Sequence, residues 1–338
     1  MPDRPGRSTT LNDVARVAGV HVSTVSRVLT GSTQLNITDA TRERIERAAQ
    51  ELNYQPNVVA RALRGSSAGA LGMLVPSLRN PVYAEIVRGA SERAWEQDFA
   101  LMLAEDQTGG DAERAYERLV RSGRIDGLLI AGVRPDSTIT DAEPTANVPF
   151  VYVNRRHDRG HSVSMREEDA AGLAATHLLE LGHRTVAHIA GPQQIDTARR
   201  RLAGFLERTA AAGIEPRVVY AAFDERAGYD AMIELLAHET RPTGVFTSNF
   251  NQAIGAMAGA RDSGLSVPTD ISIVTYDDDP ISDFLYPPLT GVRMPLHDLG
   301  ALAVDALLDR IAGGSVADIV VPDAPALVER ASTAPAPR

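Results

Sequence analysis

Residues 10–29 read TLNDVARVAGVHVSTVSRVL, and their spacing predicts two short helices joined by a tight turn. Thr10 and Asp13 stand at capping-box distance at the start of the first helix. Gly19 supplies the positive φ that ends it. The second helix is expected over about 21–29, with Val25, Val28 and Leu29 on its apolar side. Downstream, Thr38 can cap a third helix whose Ile45, Ala49 and Leu52 share one face, and Pro56 breaks the chain after it. Helices so arranged form a helix-turn-helix, whose second helix enters a DNA major groove. Val22, Ser23, Thr24 and Arg27 would then be exposed. Arg27 can grip guanine or phosphate, Val22 can touch a thymine methyl, and the two hydroxyls can reach bases or phosphates. The alternative is a three-helix packing unit with a surface arginine.

The next segment weighs against that alternative. Asn57 can cap a short helix, VVARALR (58–64), that stops at Gly65. Two turns are too few for a stable helix in water, since isolated helices below ~12–15 residues are marginal. Val59 and Leu63 form one apolar edge, and a helix this small needs a partner helix, DNA, or both. A leucine on such a helix can enter the minor groove as a wedge, with Arg61 and Arg64 placed for phosphates. A frayed linker whose leucine packs on the body is the other reading.

Charge is distributed to match. The chain has 338 residues and a net charge of −10. Residues 1–64 hold nine arginines against six carboxylates, +3, which leaves −13 on the remainder. A basic head on an acidic body fits a nucleic-acid-binding module joined to something else. Lysine and cysteine do not occur, which excludes Schiff-base chemistry, a P-loop lysine, disulfides and thiolate metal sites. With no apolar h-region at the start and no membrane-length apolar run, a cytoplasmic location and no membrane contact are expected.

From Ala70 onward, apolar runs alternate with amphipathic stretches. Strands are expected at 70–76, 99–104, 125–132, 149–154, 185–191, 218–223, 244–249 and 271–278, and helices at 84–97, 112–122, 167–181 and 297–312. Alternation over about 250 residues means parallel sheets, and the series divides near Gly182. The fold class expected is therefore α/β: an all-α helix-turn-helix head with a hinge helix, then two doubly wound parallel-sheet subdomains.

The runs LNDVARVAGVHVSTVSRVL, TRERIERAAQELNYQPNVVARALR, LGMLVPSLRNPVYAEIVRGA, HLLELGHRTVAHIAGP, RRRLAGF, GVFTSN and ISIVTYDD resemble the LacI/GalR family of transcriptional regulators, in its order and spacing over about residues 10–330. The resemblance implies a homodimeric regulator, expected to be a repressor. It would bind a palindromic double-stranded DNA operator and answer to a small polar effector, expected to be a sugar, in a periplasmic-binding-protein-like body. It implies DNA contacts from Thr10, Leu11 and Asn12, base contacts from Val22, Ser23 and Arg27, and hinge roles for Asn57 and Leu63. It places Ser77, Tyr83, Asn154, Arg155, Arg201, Phe223, Asn249 and Asp277 in an effector cleft. The division expected is 1–56 for the head, 57–65 for the hinge helix and 66–330 for the effector-binding and dimerisation domain. Within the last, the N-subdomain takes about 70–166 with 297–321 and the C-subdomain about 167–294. Residues 331–338 are expected to be a disordered tail. Departures from the family pattern include His21, which is expected to weaken the cap of the recognition helix, with Thr30, Asn154, Phe250 and Met294.

The cleft makes chemical sense. Asn154, Phe223, Asn249 and Asp277 each end a predicted strand, where ligands of open α/β sheets lie. A carboxylate and a guanidinium can share adjacent sugar hydroxyls, and aromatic faces suit a sugar ring. Arg155 or Arg201 could instead meet a carboxylate or phosphate. The alternatives are a solute-binding protein or an enzyme on the same fold. No GxGxxG or P-loop motif is present, and the GxSxG match at 65–69 (GSSAG) falls in the boundary run before the first strand rather than between a strand and a helix, so no catalytic residue, cofactor or metal is expected.

Overall fold

A computed structural model describes residues 9–29, 37–52, 68–105, 123–132, 148–157 and 160–337. The hinge expected over 57–65, with Asn57 and Leu63, lies outside the described residues, as do Thr30 and the helix expected over 112–122.

The chain divides into two units, residues 1–68 and 69–338. The first contains α1 (Leu11–Ala18), α2 (Val22–Leu29) and α3 (Asp39–Glu51). Thr10 and Asp13 form the expected capping box, and Gly19 ends α1 at φ 63° with its N–H on the Ala15 carbonyl. Val14, Ala18, Val25, Val28, Ile45 and Ala48 make the core of this unit. Arg44 Nε donates to the Ala18 carbonyl at 2.8 Å, which satisfies an orphan acceptor at the end of α1. Thr38 occupies the N-cap position of α3, but its hydroxyl pairs with that of Thr41 at 3.0 Å rather than with the backbone.

The second unit is built on two six-stranded sheets. Sheet A takes β1 (Ala70–Val75), β2 (Ala100–Glu105), β3 (Gly127–Ile130), β4 (Phe150–Asn154), β5 (Ser162–Ser164) and β11 (Ile319–Val320), in the order β11-β5-β4-β3-β1-β2. Sheet B takes β6 (Val186–Ala190), β7 (Arg217–Tyr220), β8 (Gly244–Thr247), β9 (Ser272–Tyr276), β10 (Thr290–Arg293) and β12 (Ala326–Val328), in the order β12-β10-β9-β8-β6-β7. Every pairing is parallel except β10 with β12. The central strands β1, β3, β6, β8 and β9 are buried along their whole length, as parallel strands covered on both faces require. The expected α/β class is the observed one.

Helices α4 (Pro81–Glu96) and α9 (Leu296–Ile311) belong to the sheet A lobe. Helices α5 (Glu167–Glu180), α6 (Asp196–Ala211), α7 (Glu225–Leu236) and α8 (Phe250–Asp262) belong to the sheet B lobe. The chain crosses between the lobes after β5, again after β10, and a third time between β11 and β12. Helices α4 and α9 approach so closely that a Cβ on Gly89 would overlap the His297 carbonyl, and one on Gly300 the Ile86 carbonyl.

Residues 331–337, expected to be disordered, are tied into sheet B. Ser332 is fully buried; its Oγ donates to the Ile273 carbonyl at 2.7 Å and accepts from Thr290 N at 2.8 Å. Thr333 meets His177 Nε2 at 3.0 Å, the Ala334 carbonyl meets His183 Nε2 at 3.1 Å, and Ala336 N–H reaches the Leu181 carbonyl. Small residues and prolines resemble a loose tail in composition, but here they hydrogen-bond the starts of the interior strands β9 and β10.

Candidate functional site

The two lobes enclose a cavity of about 510 Å³. All eight residues expected in the cleft line it: Ser77, Tyr83, Asn154 and Arg155 from the sheet A lobe, and Arg201, Phe223, Asn249 and Asp277 from the sheet B lobe. Parallel strands deliver their carboxyl ends to one side of each sheet, and the following helices begin there. The N-termini of α4, α6, α7 and α8 accordingly open on the same space.

Asn154 and Asp277 follow their strands into left-handed backbone, with φ 74° and 78°. Asn and Asp tolerate this region better than most residues. The turn carries each side chain inward. Asp277 is 4% exposed; the Phe250 backbone N–H lies against its carboxylate, but no side chain among the described residues gives it a hydrogen bond, and Asn154 Oδ1 has no partner among them. Burial pushes the Asp277 carboxyl up to about 7, against the pull of Arg201, and Glu167 pushes the same way as burial. Buried acceptors without donors are costly. Acceptors of this kind can take donors from a ligand.

Arg201 is fixed from three sides. Its Nε donates to Glu167 at 2.7 Å, its Nη1 donates to the Ser248 carbonyl at 2.6 Å, and its guanidinium lies 3.4 Å from the Tyr276 ring centroid. Burial alone would lower its pKa, but Glu167, Tyr276 and Asp277 together offset this and hold it above the ordinary value. Ser248 is held in turn by buried His188, which stacks on Phe205 and Phe246. His188 Nδ1 faces the Phe246 carbonyl at 3.2 Å, so it carries the proton, and Nε2 accepts from the Ser248 hydroxyl. Burial drives His188 down to about 3.

The other lining residues are less committed to a ligand. Asn249 caps α8 through Oδ1 on Gln252 N at 2.9 Å, and its Nδ2 donates to the Phe223 carbonyl at 3.2 Å. Its amide is largely spent on holding the loop that carries Phe223. The Phe223 ring lies where a Cβ on Gly191 would sit. Arg155 Nη2 donates to the Tyr83 hydroxyl at 3.4 Å. Glu167 and Tyr276 escaped the sequence reading. Glu167 begins a run of three carboxylates at the start of α5, which reads as a solvated helix terminus, yet it is fully buried. Phe250 and Met294 pack in the core and do not line the cavity.

In the head, Asn12, Ser23 and Arg27 are exposed, Leu11, Val22 and Thr24 are half-buried, and Thr10 is committed to the α1 cap. His21 corrects one expectation: its Nδ1 accepts from Ser23 N at 3.3 Å and pairs with the Ser23 hydroxyl at 2.8 Å. The imidazole thus takes the capping role a serine would have. His157 stacks on Tyr152. No group of three or more metal-ligating side chains occurs among the described residues, and none of the described helices is long and apolar enough to cross a membrane.

A helix-turn-helix unit and a two-lobed body with a polar cleft define a class: DNA-binding regulators that respond to a small molecule. The pattern of bacterial regulatory proteins of the lacI family matches residues 10–57, and that of the periplasmic binding protein-like domain matches residues 175–333. The chain is 35% identical over 333 residues to the ribose operon repressor of Escherichia coli, covering 96% of this chain and 99% of that one. It is 35% identical over 335 residues to the HTH-type transcriptional repressor PurR of Erwinia tasmaniensis, covering 97% and 98%. The crystal structure of the lac repressor dimer bound to operator and the anti-inducer ONPF matches with a TM-score of 0.82 at 30% identity, covering 97% of this chain and 100% of that one. The chain belongs to the LacI family, and it is a DNA-binding transcriptional regulator.

Proposed function

We propose that this regulator is a repressor that binds a palindromic operator as a homodimer and is controlled by a sugar in the cleft between its lobes. The observation that carries the effector reading is Asp277: a buried carboxylate with no side-chain donor among the described residues, lining the cavity between the lobes. Two adjacent hydroxyls are the simplest chemistry that satisfies it. The likeness to a ribose operon repressor supports a sugar. Arg201, already oriented by Glu167 and Ser248, offers its remaining N–H groups to the same ligand.

Residues Thr10, Leu11, Asn12, Val22, Ser23, Thr24 and Arg27 are proposed to meet DNA, with Asn57 and Leu63 in the hinge between 57 and 65. The lobes are proposed as N- and C-subdomains of one effector domain. The ligand acts by linkage: it shifts the protein between DNA-competent and DNA-incompetent forms only by as much as its affinities for them differ. No turnover is involved, and the protein works in the cytoplasm. A thermal-shift screen with sugars, followed by a gel shift on the promoter beside its own gene, tests this. A sugar that raises Tm and also changes operator binding is expected. A sugar that stabilises the protein without altering operator binding would contradict the regulatory role of the cleft.

A further inference from the structure

The lobes are also joined directly, by two residues that do not line the cavity. Arg156 belongs to the sheet A lobe and stands two positions after Asn154, which ends β4. Its backbone N–H donates to Asp196 Oδ2 at 3.2 Å. Asp196 is the first residue of α6 in the sheet B lobe, and Thr197 and Arg201 of the same helix line the cavity. One carboxylate thus ties the loop after Asn154 to the helix that carries Arg201. An acid at a helix start is favourable by itself, but that role needs no partner in the other lobe. Both halves of the bond are anchored. Arg156 Nε donates to Ser164 Oγ at the end of β5, at 3.2 Å. Arg200, one turn after Asp196, grips the crossover that follows β5: its Nε and Nη2 donate to Glu168 at 2.8 and 2.7 Å, and Nη2 donates to the Met165 carbonyl at 2.8 Å. With α6 held there, the Asp196–Arg156 bond is sensitive to rotation of one lobe on the other.

The cluster contains a second arrangement. Arg200 Nη1 is buried with no hydrogen-bond partner among the described residues, and it lies 4.0 Å from the same Asp196 Oδ2. A buried donor left unpaired is costly. When the Arg156 N–H withdraws, the carboxylate needs to move only about 1 Å to accept from Arg200 instead. Arg199 lies 3.6 Å from the other oxygen, but it is exposed and its pull is screened. Oδ2 therefore has two alternative donors, one across the lobes and one on its own helix. The released form regains a bond for the one it loses, which keeps the equilibrium between the two within reach of a ligand. We propose that Asp196 is a latch between the lobes. Bonded to Arg156, it holds the arrangement seen here and positions Asn154 across the cleft from Asp277. Its transfer to Arg200 accompanies the lobe movement that changes operator affinity. This inference rests on the cleft being the effector site.

The test uses the full chain with no sugar present, as Asp196→Ala, Asp196→Ser and Asp196→Asn. Alanine has no acceptor, serine is one bond too short to reach Arg156, and asparagine keeps an acceptor in place. Hydrogen exchange resolved to the Arg156 amide should quicken about tenfold or more with alanine and serine, and less than about threefold with asparagine. The operator Kd, by gel shift on the promoter beside its own gene, should change about fivefold or more with alanine and serine and less than about twofold with asparagine. A helix-start role alone would lower Tm without moving either reading. Should Asp196→Ala fail to fold, Asp196→Ser decides, since serine suits a helix start. Unchanged exchange at Arg156 in the alanine or serine variant would overturn the proposal, and so would faster exchange with unchanged operator affinity. A response of the unmodified protein to no sugar at all would sink the cleft reading, while these two sugar-free readings still judge the latch.

Discussion

Replacing Asp277 with asparagine should stabilise the protein and cripple its response to effector. Asparagine is nearly isosteric and accepts the φ of 78° found here, so the backbone is not the variable. The carboxylate is buried with no side-chain donor among the described residues, and burial raises its pKa from 3.8 to about 7. That displacement corresponds to about 4 kcal/mol of unfavourable ionisation near pH 8. The folded state holds its proton more tightly than the unfolded state, so the penalty is full above about 7. It fades as pH falls from there towards 3.8, the pKa of an unperturbed carboxyl. The variant should therefore melt several degrees higher at pH 8 and show a shrinking advantage at pH 5. Binding should move the other way. A carboxylate hydrogen bond is worth about 1.5–3 kcal/mol; losing one to a donor facing a donor weakens the effector about 10- to 150-fold. Urea unfolding at the two pH values and calorimetric titration read both effects. A variant no more stable at pH 8, with unchanged effector affinity, would refute the assignment of Asp277 as a ligand acceptor kept at a stability cost.

Further outcomes follow from the same geometry. Glu167→Gln leaves the buried Arg201 charge without its counter-ion and should cost about 3–5 kcal/mol in urea unfolding; a loss below about 1 kcal/mol would mean the pair is not a supporting element. His188 should remain neutral in an NMR titration down to about pH 4, since burial drives it to about 3. Because its folded pKa is depressed, its contribution to stability is present above the ordinary value of 6.5 and is lost as pH falls towards 3. Titration near 6.5 would contradict the buried stack. Leu63→Ala should weaken specific operator binding far more than binding to random DNA; equal losses in gel shifts would remove the minor-groove wedge from the account.

Much of this was legible in the sequence, for physical reasons. Buried parallel strands are long apolar runs, so eight of the strands stood out. The strands Ser162–Ser164, Ile319–Val320 and Ala326–Val328 did not, because two or three residues give no usable period, and Thr290–Arg293 did not because its TGVR carries a single apolar side chain. The cleft residues could be placed because strand ends converge in this topology, and all eight line one cavity. Which of them offers free chemistry was not legible. Asn249 and Asp277 both end strands, yet the Asn249 amide is consumed by capping while the Asp277 carboxylate has no side-chain donor among the described residues. Glu167 looked like an ordinary helix start because inward and outward orientation at a first turn depends on the neighbouring helix. His21 looked like a weak cap because the imidazole nitrogen was not counted as an acceptor. The last residues looked disordered because composition carries no record of the strand starts they hydrogen-bond.

The central claim is that the cleft and the DNA-reading head share one equilibrium. Linkage makes this reciprocal: an effector that changes operator affinity by some factor must have its own affinity changed by operator DNA by the same factor. The direct measurement is the effector Kd by titration in the absence and in the presence of saturating operator, set beside the operator Kd with and without effector. The account predicts equal factors, on the order of 5- to 150-fold for a typical coupling. An effector Kd that operator DNA does not change would contradict it.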